Sequence, residues 1–181
     1  MYIAKEKRKT NIAEYILYMW QIEDLIRAHD MDLEKINNGL VDHYSGSEEQ
    51  IEEIRQWYRG LTDSMMLEGI KEKGHLQFLV VLMDDLNNFH FRLIDSSTQS
   101  EYQQLYMASV RDISELRKKM GDKEQITDVE VCLTALYGLL LMRLKNREVS
   151  EDTEKVFNRF SELMSELSRL YKLYDEGELE I

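Results

Sequence analysis

Apolar side chains recur every three or four positions along most of this chain, with polar residues between them. The first clear stripe runs from Asn11 to Ala28, and its spacing predicts an amphipathic helix. The apolar positions of this stripe are Ile12, Tyr15, Ile16, Met19, Ile22 and Ile26.

Further stripes of the same kind predict five more long helices. These begin at Ser47, at His75, shortly before Tyr102, at Val129 and at Ser150. We expect Gly74 to end or kink the second long helix, and the stretch from Leu33 to Val41 fits a short additional one. The predicted fold class is therefore all-α, a helical bundle of five to six helices.

Two segments are more continuously apolar than an amphipathic helix. Phe78 to Met83 is a continuous apolar run, which taken alone would suit a buried strand, but helical spacing continues beyond it to Leu93. We therefore predict that no segment forms a paired sheet. Val129 to Lys145 is apolar nearly all round, which predicts the central helix of the bundle.

Composition strengthens the all-α prediction. The 181 residues include no proline and only 8 glycines, the two residue types that break or weaken helices. Length and the lack of a linker predict a single domain over residues 1–181. The one cysteine, Cys132, lies in an apolar run, and we interpret it as a buried thiol.

The run from Asn11 to Arg27, NIAEYILYMWQIEDLIR, carries a resemblance to known proteins. It resembles the opening of an uncharacterised bacterial family of helical proteins, the domain of unknown function DUF4924. The resemblance implies a small bacterial cytoplasmic helical protein with no assigned activity. It supplies no catalytic residues, so candidate sites must come from the side chains themselves.

A formal net charge of −12 narrows the range of partners. Nucleic acid and anionic membranes both need a basic face, so we expect neither as a partner. The basic start of the chain precedes an apolar stretch as in a signal peptide, but Glu14, Glu23 and Asp24 interrupt that stretch. Val129 to Leu144 is too short to cross a bilayer, and we expect a cytoplasmic protein.

The sequence offers little for metal or cofactor chemistry. Di-metal helical bundles need two Glu-x-x-His pairs, whereas this chain has one, Glu72 to His75, with Gly74 inside it. A count of four histidines leaves a three-histidine metal site open. Phosphate-binding glycine motifs and Gly-x-Ser-x-Gly are absent. We predict no catalytic residue, no metal ligand and no cofactor.

One segment is the candidate pocket. A polar group follows the apolar run of the third long helix, and its members are Asp84, Asp85, Asn87, Asn88 and His90. Neighbouring helical residues point about 100° apart, so we expect at least one of the two aspartates near the buried face. The alternative interpretation is a solvated helix face with one boundary acid bonded across helices.

The candidate interface is on the first helix. Trp20 lies about 110° from the middle of the apolar stripe, and Leu17 lies farther round still. Either neighbouring helices of the same chain cover these side chains, which we favour, or a partner covers them with Trp20 as its anchor. A symmetric homodimer would be the default form of such a contact.

The function expected from the sequence alone is a binding or structural module that works through protein–protein contacts, including self-association. The alternative is a small-molecule pocket or an enzyme within the bundle, centred on Asp84 to His90. We lean against an enzyme. An exposed apolar patch would favour the first hypothesis, and a pocket of about 300 Å³ with converging polar groups would favour the second.

Overall fold

The computed structural model of the chain describes residues 2–121 and 126–181, and within them it contains helices and no strand. The α-helices are α1 (Tyr2–Thr10), α2 (Ile12–Ala28), α3 (Leu33–Gly39), α4 (Glu48–Leu67), α5 (Gln77–Asp95), α6 (Ser100–Lys119), α7 (Asp128–Leu144) and α8 (Glu151–Asp175). A short 3₁₀ turn covers Val41–His43. None of the described helices is long and apolar enough to span a bilayer.

The all-α prediction is confirmed, but the predicted number of five to six helices is wrong, because the described residues form eight. The six predicted long helices correspond to α2 and α4–α8. The additional ones are α3, which the sequence suggests only as a short extra helix, and α1. Helix α1 buries only Ala4, so it shows no apolar stripe that could predict it.

Polar side chains set the helix starts. Ser47 and Gln50 form a capping box at the start of α4, in which each side chain accepts the other residue's backbone N–H. Thr127 and Ser150 accept backbone N–H groups at the starts of α7 and α8. Each of these helices also has acids in its first turn, where the helix dipole favours them.

The expectation for Gly74 is wrong in detail. Helix α4 ends earlier, at Leu67, where Gly69 follows with a φ of 72° and the N–H of Ile70 reaches back to the carbonyl of Met65. This left-handed end is the ordinary use of glycine after a helix. Gly74, with a φ of 97°, lies instead in the turn that leads into α5.

Backbone contacts divide the chain into two compact units. Unit 1 comprises residues 1–9 and 14–81, and unit 2 comprises residues 10–13 and 82–181. In unit 1, α3 packs against α4 and the 3₁₀ turn, and the most deeply buried large side chains are Ile16, Met19, Ile26, Ile36, Tyr58, Met65, Leu76 and Leu79. In unit 2, α6, α7 and α8 pack on one another. One domain over residues 1–181 stays a prediction.

Helix α7 is not enclosed on all sides, although its sequence suggests that it should be. Its amino-terminal half is buried, from Val129 through Leu133 apart from Glu130. Its carboxyl-terminal half is only half-buried at Tyr137, Leu140, Leu141 and Met142, and Leu144 is 64% exposed. The apolar carboxyl-terminal half of α7 therefore reaches the surface of unit 2.

Candidate functional site

The structure separates the five residues of the candidate pocket. Asp84, Asp85 and Asn88 are exposed on α5, whereas Asn87 and His90 are buried. The expectation that one of the two aspartates lies near the buried face is wrong, since both point to solvent. Asn87 and His90 are three positions apart and therefore share one face of the helix.

His90 is the centre of a polar cluster inside unit 2. Its ring is fully buried, and its Nδ1 lies 2.5 Å from the hydroxyl of Tyr102. The ring of Tyr106 meets it edge-on, with ring centroids 4.9 Å apart. Burial raises the pKa of Tyr102, so this phenol stays protonated and is able to donate its hydrogen to Nδ1.

Asp128 ties this cluster to α6 and α7. Its Oδ2 accepts the hydroxyl of Tyr106 at 2.9 Å, its Oδ1 accepts the guanidinium of Arg117, and Nε2 of His90 lies 3.7 Å away. Burial by itself would raise the pKa of Asp128, but His90, Arg117 and Tyr106 together outweigh it and lower that pKa to about 2. Arg117 also donates to the carbonyl of Ile126.

Two buried polar atoms in this region lack a hydrogen-bond partner among the described residues: Oδ1 of Asn87 and Nε2 of His90. With Nδ1 accepting from Tyr102, Nε2 carries the ring hydrogen and is a donor, while the amide oxygen is an acceptor. Oδ2 of Asp128 lies 3.7 Å from Nε2, which is beyond hydrogen-bonding distance. The other contacts of the cluster are hydrogen bonds and an ion pair that join α5, α6 and α7.

Sequence reasoning found His90 but missed its partners. Tyr102 and Tyr106 lie at inward positions of the α6 stripe, and a buried tyrosine needs a partner for its hydroxyl. This requirement predicts that each of the two hydroxyls has a hydrogen-bonding partner. The identity of the partners was not available, because Arg117 and Asp128 are far from His90 in the sequence and adjacent only in the fold.

The candidate interface residues lie in unit 1. Trp20 is only 3% exposed and stacks on His75 with ring centroids 4.4 Å apart, and Leu17 is half-buried. The chain itself therefore covers Trp20. His75 donates from Nδ1 to the buried carboxylate of Glu23 at 2.6 Å, and the same carboxylate accepts the backbone N–H of Leu76 at 2.8 Å.

The remaining histidines and the cysteine are separate from one another. Nδ1 of His29 lies 2.8 Å from the carbonyl of Leu25, and His43 is exposed. Cys132 is buried in α7, and burial raises the pKa of its thiol, which keeps it protonated and unreactive. Across residues 2–121 and 126–181, no three His, Cys, Asp or Glu side chains converge as a metal site would need.

Comparison with known proteins places the chain in a family. A search of curated proteins and a search of solved structures each gave no match. The family model described as Domain of unknown function (DUF4924) matches residues 1–178, which is nearly the whole chain. The chain therefore belongs to the DUF4924 family.

Proposed function

We propose that this protein is a binding module that works through protein–protein contacts, and that its partner is a second copy of the chain. The observation that carries the proposal is the apolar surface on the carboxyl-terminal half of α7. We call it the outer face of α7 and define it by Tyr137, Gly138, Leu141 and Leu144. These residues recur at helical spacing, and each of them is half-buried or exposed.

The charge distribution restricts where a second copy could bind. Two copies that each carry a net charge of −12 repel one another, so they can meet closely only where acids are absent. The stretch from Val131 to Met142 contains no charged residue, in a chain in which 32% of residues are charged. Closed two-fold symmetry is the commonest way in which such a self-complementary face is used.

Gly138 leaves open space on the outer face of α7. A Cβ built at this position meets no atom within 4 Å, so the monomer does not need a glycine there for space. The same open space lets a facing helix approach the backbone of α7 closely. A glycine in a helix interior costs about 1 kcal/mol relative to alanine, which a close contact across it would offset.

The second candidate function is a small-molecule site centred on Asp84 to His90. Three of its five residues face solvent, so the group does not converge on one pocket. What still favours it is the pair of unpartnered atoms on Asn87 and His90.

The experiment compares the mass in solution of three proteins by sedimentation velocity. The double variant Leu141→Gln/Leu144→Gln makes the outer face polar without adding charge, and we expect it to weaken the wild-type dimer at least about tenfold. Met107→Gln is the matched control, because Met107 is an apolar residue of α6 that is 70% exposed and lies outside the outer face. Equal dimerisation of all three proteins would refute the proposed face.

A further inference from the structure

Unit 1 contains two small clefts that share one tyrosine in their linings. The larger one, about 280 Å³, is lined by Leu25, Gly39, Leu40, His43, Tyr44 and Tyr58. The smaller one, about 150 Å³, shares Tyr44 and adds Tyr2, Ile3, Ser45, Gln50 and Ile54. Tyr44 lies in the extended segment between the 3₁₀ turn and α4 and contributes to the lining of both clefts.

The lining of these clefts offers no Lys, Arg, Asp or Glu side chain to pair with a charged ligand. None of the eleven described residues that line them is Lys, Arg, Asp or Glu, although such residues make up 32% of the chain. Three of the large apolar side chains that the described chain exposes, Tyr2, Ile3 and Leu25, are among these lining residues. Apolar surface that the fold leaves exposed inside a concavity is typical of a ligand site.

Aromatic rings and hydroxyls supply the specificity. Three phenols meet at this place: the hydroxyls of Tyr44 and Tyr58 lie 3.4 Å apart, and Tyr44 also hydrogen-bonds Tyr18. Burial raises the pKa of Tyr18 and of Tyr58, which keeps both phenols neutral. Each hydroxyl has two lone pairs, so the group retains acceptor capacity for a donor on a ligand.

The walls of the larger cleft are fixed by local structure. Asp32 caps α3 by accepting the backbone N–H groups of Glu34 and Lys35. At the other end of α3, any side chain at Gly39 would collide with the imidazole of His29, which bonds the carbonyl of Leu25. Ile36 and Val41 are fully buried and anchor α3 and the 3₁₀ turn below the cleft. The cavity is therefore preformed.

We infer that the larger cleft binds an uncharged aromatic molecule of about two fused rings that carries one hydrogen-bond donor, with its rings against Leu25 and Tyr44 and its donor on the tyrosine hydroxyls. The size follows from volume, because an apolar cavity of about 150 Å³ holds one benzene ring and this cleft is nearly twice as large. The cleft lies in unit 1, and the site goes beyond the proposed contact face on α7.

The test is isothermal titration calorimetry of the full chain with 2-naphthol, the probe that matches these features. We expect saturable binding with a Kd on the order of 0.1–1 mM, as is usual for a ligand of about eleven non-hydrogen atoms. The anion 2-naphthoate has the same ring system, and we expect it to bind at least about tenfold more weakly, because it would desolvate its charge in a cleft that neither Lys nor Arg lines.

Two variants locate the site. Leu25→Trp fills the cleft and is expected to weaken 2-naphthol at least about tenfold, while Leu67→Trp, at a residue that is 90% exposed in the same unit, is expected to leave binding unchanged. Tyr44→Phe keeps the ring and removes one hydroxyl, so it should weaken 2-naphthol several-fold and leave naphthalene binding unchanged. Circular dichroism of each variant checks that it is folded.

Three results would overturn the inference. One is the absence of saturable binding of 2-naphthol by the wild-type protein. Another is equal affinity of the wild type and Leu25→Trp, which would place the ligand elsewhere. The third is equal affinity for 2-naphthol and 2-naphthoate, which would show that a lining without Lys or Arg does not select against an anion.

Discussion

At the scale of single residues, the surroundings of Asp128 lower the pKa of its carboxyl group from 3.8 to about 2. The carboxylate accepts hydrogen bonds from Arg117 and Tyr106 and lies near buried His90. A carboxylate whose pKa is lower in the folded state stabilises the fold above its unfolded pKa, and that stability is lost as the pH falls. The relevant window is from about pH 4 to pH 2.

The Asp128→Asn variant tests this linkage. We expect it to lower the free energy of unfolding by about 2 kcal/mol at pH 7, which corresponds to nearly two pKa units. We also expect its stability to fall less steeply than that of the wild type between about pH 4 and pH 2. Urea unfolding at several pH values measures both effects. Parallel pH profiles for the two proteins would contradict the account of this residue.

The Trp20→Ala variant distinguishes packing of Trp20 within the chain from a role of Trp20 in an interface. Because it is buried against His75 within unit 1, Trp20→Ala should lower the free energy of unfolding by about 3–5 kcal/mol and leave the mass in solution unchanged. Thermal unfolding and sedimentation measure the two quantities. Dissociation of a dimer without loss of stability would instead show that Trp20 belongs to a contact between copies.

At the scale of helices, apolar spacing predicted the buried faces well where a helix packs along its whole length. All six stripe positions of α2, from Ile12 to Ile26, are buried. The apolar positions of α5 at the same spacing are buried too, and they are Leu79, Leu82, Leu86, Phe89 and Leu93. The register of α5 correctly favoured a helix over a strand for Phe78 to Met83. Spacing works here because each helix has one wide apolar stripe facing a core.

Apolar spacing did not predict the buried residues of helices that lack a single apolar stripe. Helix α1 buries a single alanine, so its sequence carries no pattern. Helix α7 is apolar nearly all round, so its sequence could not indicate which side lacks a neighbour. The expectation for Asp84 and Asp85 was wrong for a different reason, since it rested only on the angle of about 100° between them, whereas the buried stripe of α5 leaves both outside the buried face.

Two glycines in helix interiors allow a matched test at this scale. Gly60 in α4 and Gly138 in α7 each have no atom within 4 Å of the position that an added methyl group would occupy. We therefore expect Gly60→Ala and Gly138→Ala each to raise the free energy of unfolding of the monomer by about 1 kcal/mol. Only Gly138→Ala should also weaken self-association, because only Gly138 lies on the outer face of α7. Equal dimer affinity for both variants would argue against a close helix contact there.

At the scale of the whole molecule, net charge and the apolar face act in opposite directions on association. A charge of −12 on each copy opposes contact over long range, and salt screens that repulsion with a Debye length of about 10 Å at 0.1 M and about 3 Å at 1 M. Burial of the outer face of α7 is not screened in this way. Salt should therefore strengthen contact between copies, whereas it would weaken contact with a basic partner.

Sedimentation equilibrium of the wild-type chain at low and high salt tests the proposed function most directly. We predict a reversible equilibrium between the 21.6 kDa monomer and a dimer of twice that mass, with a dissociation constant that falls as sodium chloride rises from about 0.05 M to about 0.5 M. A strict monomer at high micromolar concentration and at both salt concentrations would contradict the account.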